Sequence, residues 1–107
     1  SRRVENRIAG MDCNPYLGIA ASLACGYLGL VEGKNPAPEC TSDAYSGEAD
    51  IPRGLGEALD IFSAAEGVRD VLGPEFSFCY ENVKALEYKE FLQVISPWER
   101  EHLLLNV

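Results

Sequence analysis

Asn14-Pro15-Tyr16-Leu17-Gly18-Ile19-Ala20-Ala21-Ser22-Leu23-Ala24-Cys25-Gly26-Tyr27-Leu28-Gly29-Leu30 is the stretch on which the fold of this 107-residue chain turns. Asn is a preferred helix cap and Pro suits the first helical position, so a helix is predicted from about Pro15 to Leu30. The run carries no charge. It therefore has no face made for water and is expected to be buried on all sides. It is short for a bilayer span, and Gly18, Ala20, Ala21, Ser22, Ala24 and Gly26 suit close packing inside protein better than contact with lipid. The remaining residues can hardly surround such a helix. Together with a first residue that is not methionine, this makes a piece of a longer protein the expectation.

Immediately upstream, Arg3-Val4-Glu5-Asn6-Arg7 alternates charged with uncharged residues. On a strand, successive side chains take opposite faces, so Arg3, Glu5 and Arg7 would share one face and Val4, Asn6 and Ile8 the other. A short N-terminal strand is predicted. Its charged face has two readings: a solvated surface whose pairs contribute about 0–1 kcal/mol each, or a site in which Glu5 binds a divalent cation and the arginines hold anionic groups. Arginine's planar fork suits carboxylate and phosphate, and a hard cation takes oxygen ligands together with substrate phosphates.

Composition narrows the partners. The apolar share of 47% and charged share of 24% are those of one ordinary globular domain. Asp and Glu number 17 against 9 Lys and Arg, for a net charge of -8. Without a basic patch, that balance argues against nucleic acid and anionic membranes as partners. Cys13, Cys25, Cys40 and Cys79 form no C-x-x-C pair, and His102 is the only histidine. This spacing argues against zinc and for free, buried thiols in a reducing cytoplasm.

Further along, Glu32 to Pro52 is dense in Gly, Pro, Ser and acidic residues and reads as a long loop of a kind that is uncommon in compact domains. Leu55, Ala58, Leu59, Phe62 and Ala65 then recur at helical spacing, predicting an amphipathic helix to about Glu66, with Glu57 and Asp60 facing solvent and Gly67 ending or bending it. Leu72-Gly73-Pro74 stops one element and starts another. Phe76, Cys79, Tyr80, Val83, Leu86 and Val94 mark one side of a helix to about Ile95, and the two helices are expected to pair as a hairpin. Ser96-Pro97-Trp98-Glu99 is a capping box opening a short terminal helix. The apolar tail Leu103 to Val107 needs a surface to cover it.

The motifs in sequence resemble one family. RRVENRIAGMDCNPYLGIAASLACGYLGL (2–30) closely resembles glutamine synthetases, in which Arg-[Ile/Val]-Glu-x-Arg is followed by a Gly/Asp stretch and by Asn-Pro-Tyr-Leu opening an Ala-rich helix. IPRGLGEALDIF (51–62), LGPEFSFCYENVKALEYKEF (72–91) and ISPWEREHLLLNV (95–107) resemble later parts of the same domain. The resemblance covers essentially the whole chain and corresponds to about the last quarter of the catalytic domain. The fold class it implies is mainly α within an α+β catalytic domain: one short N-terminal strand, a buried Ala/Gly-rich helix, a long loop, a helical hairpin and a short C-terminal helix.

The resemblance also implies roles. Glu5 falls on a metal-ligand glutamate, for Mg²⁺ or Mn²⁺ beside the ATP phosphates; Arg7 falls on the arginine that contacts substrate glutamate and the transferring phosphate, and is the catalytic and substrate-binding candidate. Arg3 falls on an arginine at the nucleotide phosphates. The implied chemistry is ATP-dependent ligation of glutamate to ammonia through γ-glutamyl phosphate, in a cytoplasmic, ring-shaped homo-oligomer. The GYLGL helix end and the ending WEREHLLLNV look like the γ-glutamylpolyamine (putrescine) synthetase branch, so the acceptor stays open between ammonia and an amine. The family's other metal-binding glutamates, its histidine and its nucleotide pocket have no counterpart here, and His102 matches none of them. A 107-residue piece alone is therefore expected to be inactive. Tyr45 sits where one subgroup carries an adenylylated tyrosine, but its surroundings depart from that subgroup's loop. The competing class is a non-enzymatic helical module whose apolar helix and tail serve assembly.

Overall fold

The computed structural model describes residues 2–39, 41–43 and 51–104. Five helices follow in order: α1 (Pro15–Val31), α2 (Leu55–Ala64), α3 (Glu66–Leu72), α4 (Pro74–Phe91) and α5 (Pro97–His102). Asn14 caps α1 as its sequence predicts, its Oδ1 accepting from the Tyr16 N–H at 3.0 Å and the Leu17 N–H at 3.4 Å. At the other end Gly33 takes φ 63°. The Lys34 N–H then reaches back to the Gly29 carbonyl at 2.9 Å and the Gly33 N–H to that of Leu30 at 3.2 Å. This left-handed residue satisfies carbonyls that the end of a helix otherwise leaves open.

Helices α2, α3 and α4 pack together, and α1 lies against α3. The expected hairpin is present as the α2–α4 pair, with α3 inserted between its arms. The predicted single helix to Glu66 breaks earlier, at Ala65, whose ψ of 68° ends α2 and whose carbonyl accepts from the Arg69 N–H at the start of α3. Helix α4 ends at Phe91, four residues before the predicted Ile95, where the Val94 N–H turns back to the Phe91 carbonyl. The α5 capping box forms in full, Ser96 Oγ accepting from the Glu99 N–H and Glu99 Oε2 from the Ser96 N–H.

A ring cluster holds the three packed helices. Tyr80 meets Phe62 edge-on at 5.8 Å and stacks on Phe76 at 5.7 Å. The Arg69 guanidinium lies 5.6 Å over Phe62 and bonds Glu81 at 2.6 Å, while Ser63 Oγ also donates to Glu81. Those two donors hold the Glu81 carboxyl below its usual range, the arginine contributing most. Ser77 is fully buried, and its hydroxyl donates to the Arg69 carbonyl at 3.1 Å. That carbonyl would bond the Gly73 N–H if the helix ran on, but Gly73, at φ 94°, bonds the Asp70 carbonyl instead. Ser77 supplies the missing donor.

Three expectations are corrected. The described residues contain no strand: a strand requires a neighbour that shares backbone hydrogen bonds, and the segment before α1 lies beside a helix, whose backbone groups are already paired. Helix α1 is not buried all round. Ala24 is its only buried residue, while Ile19, Leu23, Tyr27 and Leu30 are 57–84% exposed, because only α3 and the N-terminal segment pack on it. Cys13, Cys25 and Cys79 are free as expected but exposed, Cys13 and Cys25 lining open clefts rather than packing in a core. Cys40, Tyr45 and the last three residues of the apolar tail lie outside the described residues; Leu103 and Leu104 are exposed.

Candidate active site

The candidate residues sit on the extended segment 2–9, which runs along one side of α1. Val4, Asn6 and Ala9 face the helix and, with Ile19, Leu23 and Tyr27, line an open apolar groove of about 740 Å³. Arg3, Glu5 and Arg7 share the other side, so the alternation read from the sequence holds from Arg3 to Arg7 without a strand partner and breaks after it, where Ala9 rather than the expected Ile8 lines the groove. Arg7 Nε donates to Glu5 Oε1 at 2.7 Å, and Arg3 Nε lies 3.8 Å from Glu5 Oε2. Their side chains are 85%, 71% and, for Glu5, 48% exposed. Pairs this open to water contribute about 0–1 kcal/mol each, so they do not explain the fold.

What positions the segment is on its uncharged side. Asn6 Nδ2 donates to Ser22 Oγ of α1 at 2.8 Å, Ser22 Oγ donates to the Gly18 carbonyl at 2.8 Å, and Asn6 Oδ1 accepts from the Ile8 N–H at 3.0 Å. Neither Asn6 nor Ser22 was singled out by the sequence reading as functional. The available signal was a hydroxyl in the middle of a helix without charge, which calls for a partner.

The donor set fits a divalent metal in part. Glu5 offers hard carboxylate oxygens, the ligand type Mg²⁺ and Mn²⁺ take, and it is open on its outer side. Among the described residues no group of three or more His, Cys, Asp or Glu converges. Glu5 can thus be one ligand of such an ion, and other ligands must come from elsewhere. His102 is not among them: on α5 its ring stacks on Trp98 at 4.8 Å, and its Nδ1 lies 3.1 Å from the Trp98 carbonyl. The remaining perturbed groups are structural. The Ser96 N–H holds the Glu99 carboxyl low, and Glu32 and Glu87 hold the Lys34 and Lys84 ammonium groups high. No described helix is long and apolar enough to cross a membrane.

The structure thus brings a carboxylate between two guanidinium groups, on a segment pinned to a chargeless helix. Comparison with known proteins gives the chain a family. Residues 1–103 match the model of the glutamine synthetase catalytic domain, and the chain belongs to the glutamine synthetase family. It is 38% identical over 101 residues to a glutamate–isopropylamine ligase of Pseudomonas sp, covering 91% of this chain and 22% of that protein. It is 32% identical over 108 residues to type-1 glutamine synthetase 2 of Dictyostelium discoideum, covering 95% and 21%. A γ-glutamylethanolamide synthetase of Streptomyces coelicolor is 31% identical over 100 residues, covering 92% and 22%. The chain thus spans about a fifth of the length of these relatives. No solved structure matches it significantly.

Proposed function

We propose that this chain is the C-terminal part of the catalytic domain of an ATP-dependent ligase that joins glutamate to ammonia or to an amine. The observation that carries the reading is the Arg3–Glu5–Arg7 wall: a carboxylate between two guanidinium groups on the segment leading into the capped α1 helix. In the first step a γ-carboxylate oxygen of glutamate attacks the γ-phosphorus of ATP, the bond to the ADP oxygen breaks, and γ-glutamyl phosphate forms. In the second the acceptor nitrogen attacks the acyl carbon, the bond to phosphate oxygen breaks, and the nitrogen gives up a proton. Each step gathers negative charge on phosphoryl oxygens. Arg7 neutralises it at the transferring phosphate and orients glutamate, and Arg3 does so on the nucleotide side. A Mg²⁺ or Mn²⁺ ion, with Glu5 as one ligand, supplies further neutralisation when bound. The other ligands and the nucleotide pocket belong to the rest of the domain, in a cytoplasmic homo-oligomeric ring.

The names of two relatives, an isopropylamine ligase and a γ-glutamylethanolamide synthetase, favour an amine as acceptor. The test is the full-length enzyme with ATP, glutamate and ammonia, putrescine, isopropylamine or ethanolamine in turn, measuring phosphate release. Glu5→Ala should raise the metal requirement severely. Arg7→Ala should lose charge-assisted hydrogen bonds of about 1.5–3 kcal/mol each, roughly ten- to a hundredfold in turnover. Near-normal glutamate-dependent turnover in both variants would overturn the roles.

A further inference from the structure

We infer that Asn6, through Ser22, is a positioning residue for Glu5 and Arg7: the bond between them fixes the register in which the charged segment lies on α1. The inference rests on the proposed role of Glu5 and Arg7. Asn6 lies between the two in the chain and points the opposite way, into the groove beside α1. Its amide is used at both ends, accepting from the Ile8 N–H at 3.0 Å and donating to Ser22 Oγ at 2.8 Å. Because Ile8 offers a backbone N–H, the oxygen of the amide must face it and the NH₂ must face Ser22. Ser22 in turn spends its proton on the Gly18 carbonyl at 2.8 Å, leaving its lone pairs for Asn6. The bonds thus run in one direction, from the Ile8 N–H through Asn6 and Ser22 to the Gly18 carbonyl.

Register matters here because side chains on an extended segment alternate with a period of two. A slip of one residue would turn Glu5 and Arg7 onto α1 and Val4 and Asn6 away from it. The face they would meet is chargeless, lined by Ile19, Leu23 and Tyr27, and offers a carboxylate no cationic partner. Val4, 99% exposed, buries too little surface to set the register. A directed bond to a single hydroxyl on that face sets it. Such supporting bonds orient metal ligands and tune their affinity.

The test uses the full-length enzyme with Asn6→Ala, Ser22→Ala, the double variant and Glu5→Ala. Mn²⁺ binding is read directly from the spin-resonance signal of free Mn²⁺, without ATP or glutamate, and amide exchange is followed over residues 2–9. Losing one hydrogen bond should weaken Mn²⁺ binding about two- to tenfold in either single variant. Exchange at Ile8 should quicken, and turnover at saturating Mn²⁺ should fall less than affinity does. The double variant should be no worse than either single one, because both remove the same bond. If Glu5→Ala weakens Mn²⁺ binding while Asn6→Ala and Ser22→Ala bind as the parent does, the positioning role is wrong and the site stands. If Glu5→Ala leaves Mn²⁺ binding unchanged, the site reading itself falls and the positioning role with it.

Discussion

Residues 1–107 produced on their own should self-associate, and the surface they expose sets how strongly. A compact protein of 11.7 kDa exposes about 5,900 Å². This chain exposes 9919 Å². The excess is about 4,000 Å², of which some 55–60% is apolar on a typical protein surface, or about 2,300 Å². At roughly 25 cal/mol per Å² its burial would release up to about 57 kcal/mol, several times the 5–15 kcal/mol net stability of a typical domain. Even a fraction of that outweighs the entropy of association. The perturbation is therefore separation from the rest of the protein, and the assay is sedimentation velocity over a wide concentration range, with a dye that reports exposed apolar surface. Sedimentation should quicken with concentration and the dye should bind. Leu23→Lys, on the exposed face of α1, should reduce association of the isolated chain; in the proposed full-length ligase, whose remaining domain is expected to cover that face, it should abolish folding. A concentration-independent monomer that ignores the dye, or a full-length Leu23→Lys protein that folds normally, would refute the reasoning.

Two further outcomes concern the helical cluster. Ser77→Ala should destabilise the α3–α4 corner by about 0.5–1.5 kcal/mol, because it removes the hydrogen bond that the buried Ser77 hydroxyl gives the part-buried Arg69 carbonyl; faster amide exchange in α3 and the first turn of α4 of the full-length protein would show it, and unchanged exchange would count against it. Acid should loosen the same cluster. The Glu81 carboxyl is held below its usual range by Arg69 and Ser63, so its contribution is fully present above the ordinary carboxylate pKa and is lost as pH falls through the lowered one. Glu81→Gln should remove that part of the acid transition, and an identical acid profile in the variant would contradict the assignment.

Much of the local structure was legible because it depends on residues within a turn of one another. The Asn14-Pro15 start and the Ser96–Glu99 box are bonds across two or three positions, and both formed as read. The alternation of Arg3, Glu5 and Arg7 needed only an extended backbone, and it too survived. The break at Ala65 was not legible: Ala is a good helix former, and Gly67 two residues on looked the better stop. Here tertiary packing overrode propensity, turning α3 so that Arg69 reaches both Phe62 and Glu81. The exposure of the cysteines was misread for a related reason, since a burial tendency is realised only where something packs on the residue.

The amino-acid sequence by itself determined four of the five helices, the caps of α1 and α5, the sidedness of the charged segment from Arg3 to Arg7 and the family to which the chain belongs. Those follow from spacing along one chain, which needs no folding back to be read. Only the tertiary structure decided that Asn6 meets Ser22 across 16 residues, that Glu81 meets Arg69 across 12, and that Ser77 serves a carbonyl 8 residues away. It also showed that a helix without charge can stand with one flank open. Absence of charge states that α1 must be covered, whereas the covering surface belongs to residues that the helix itself does not contain.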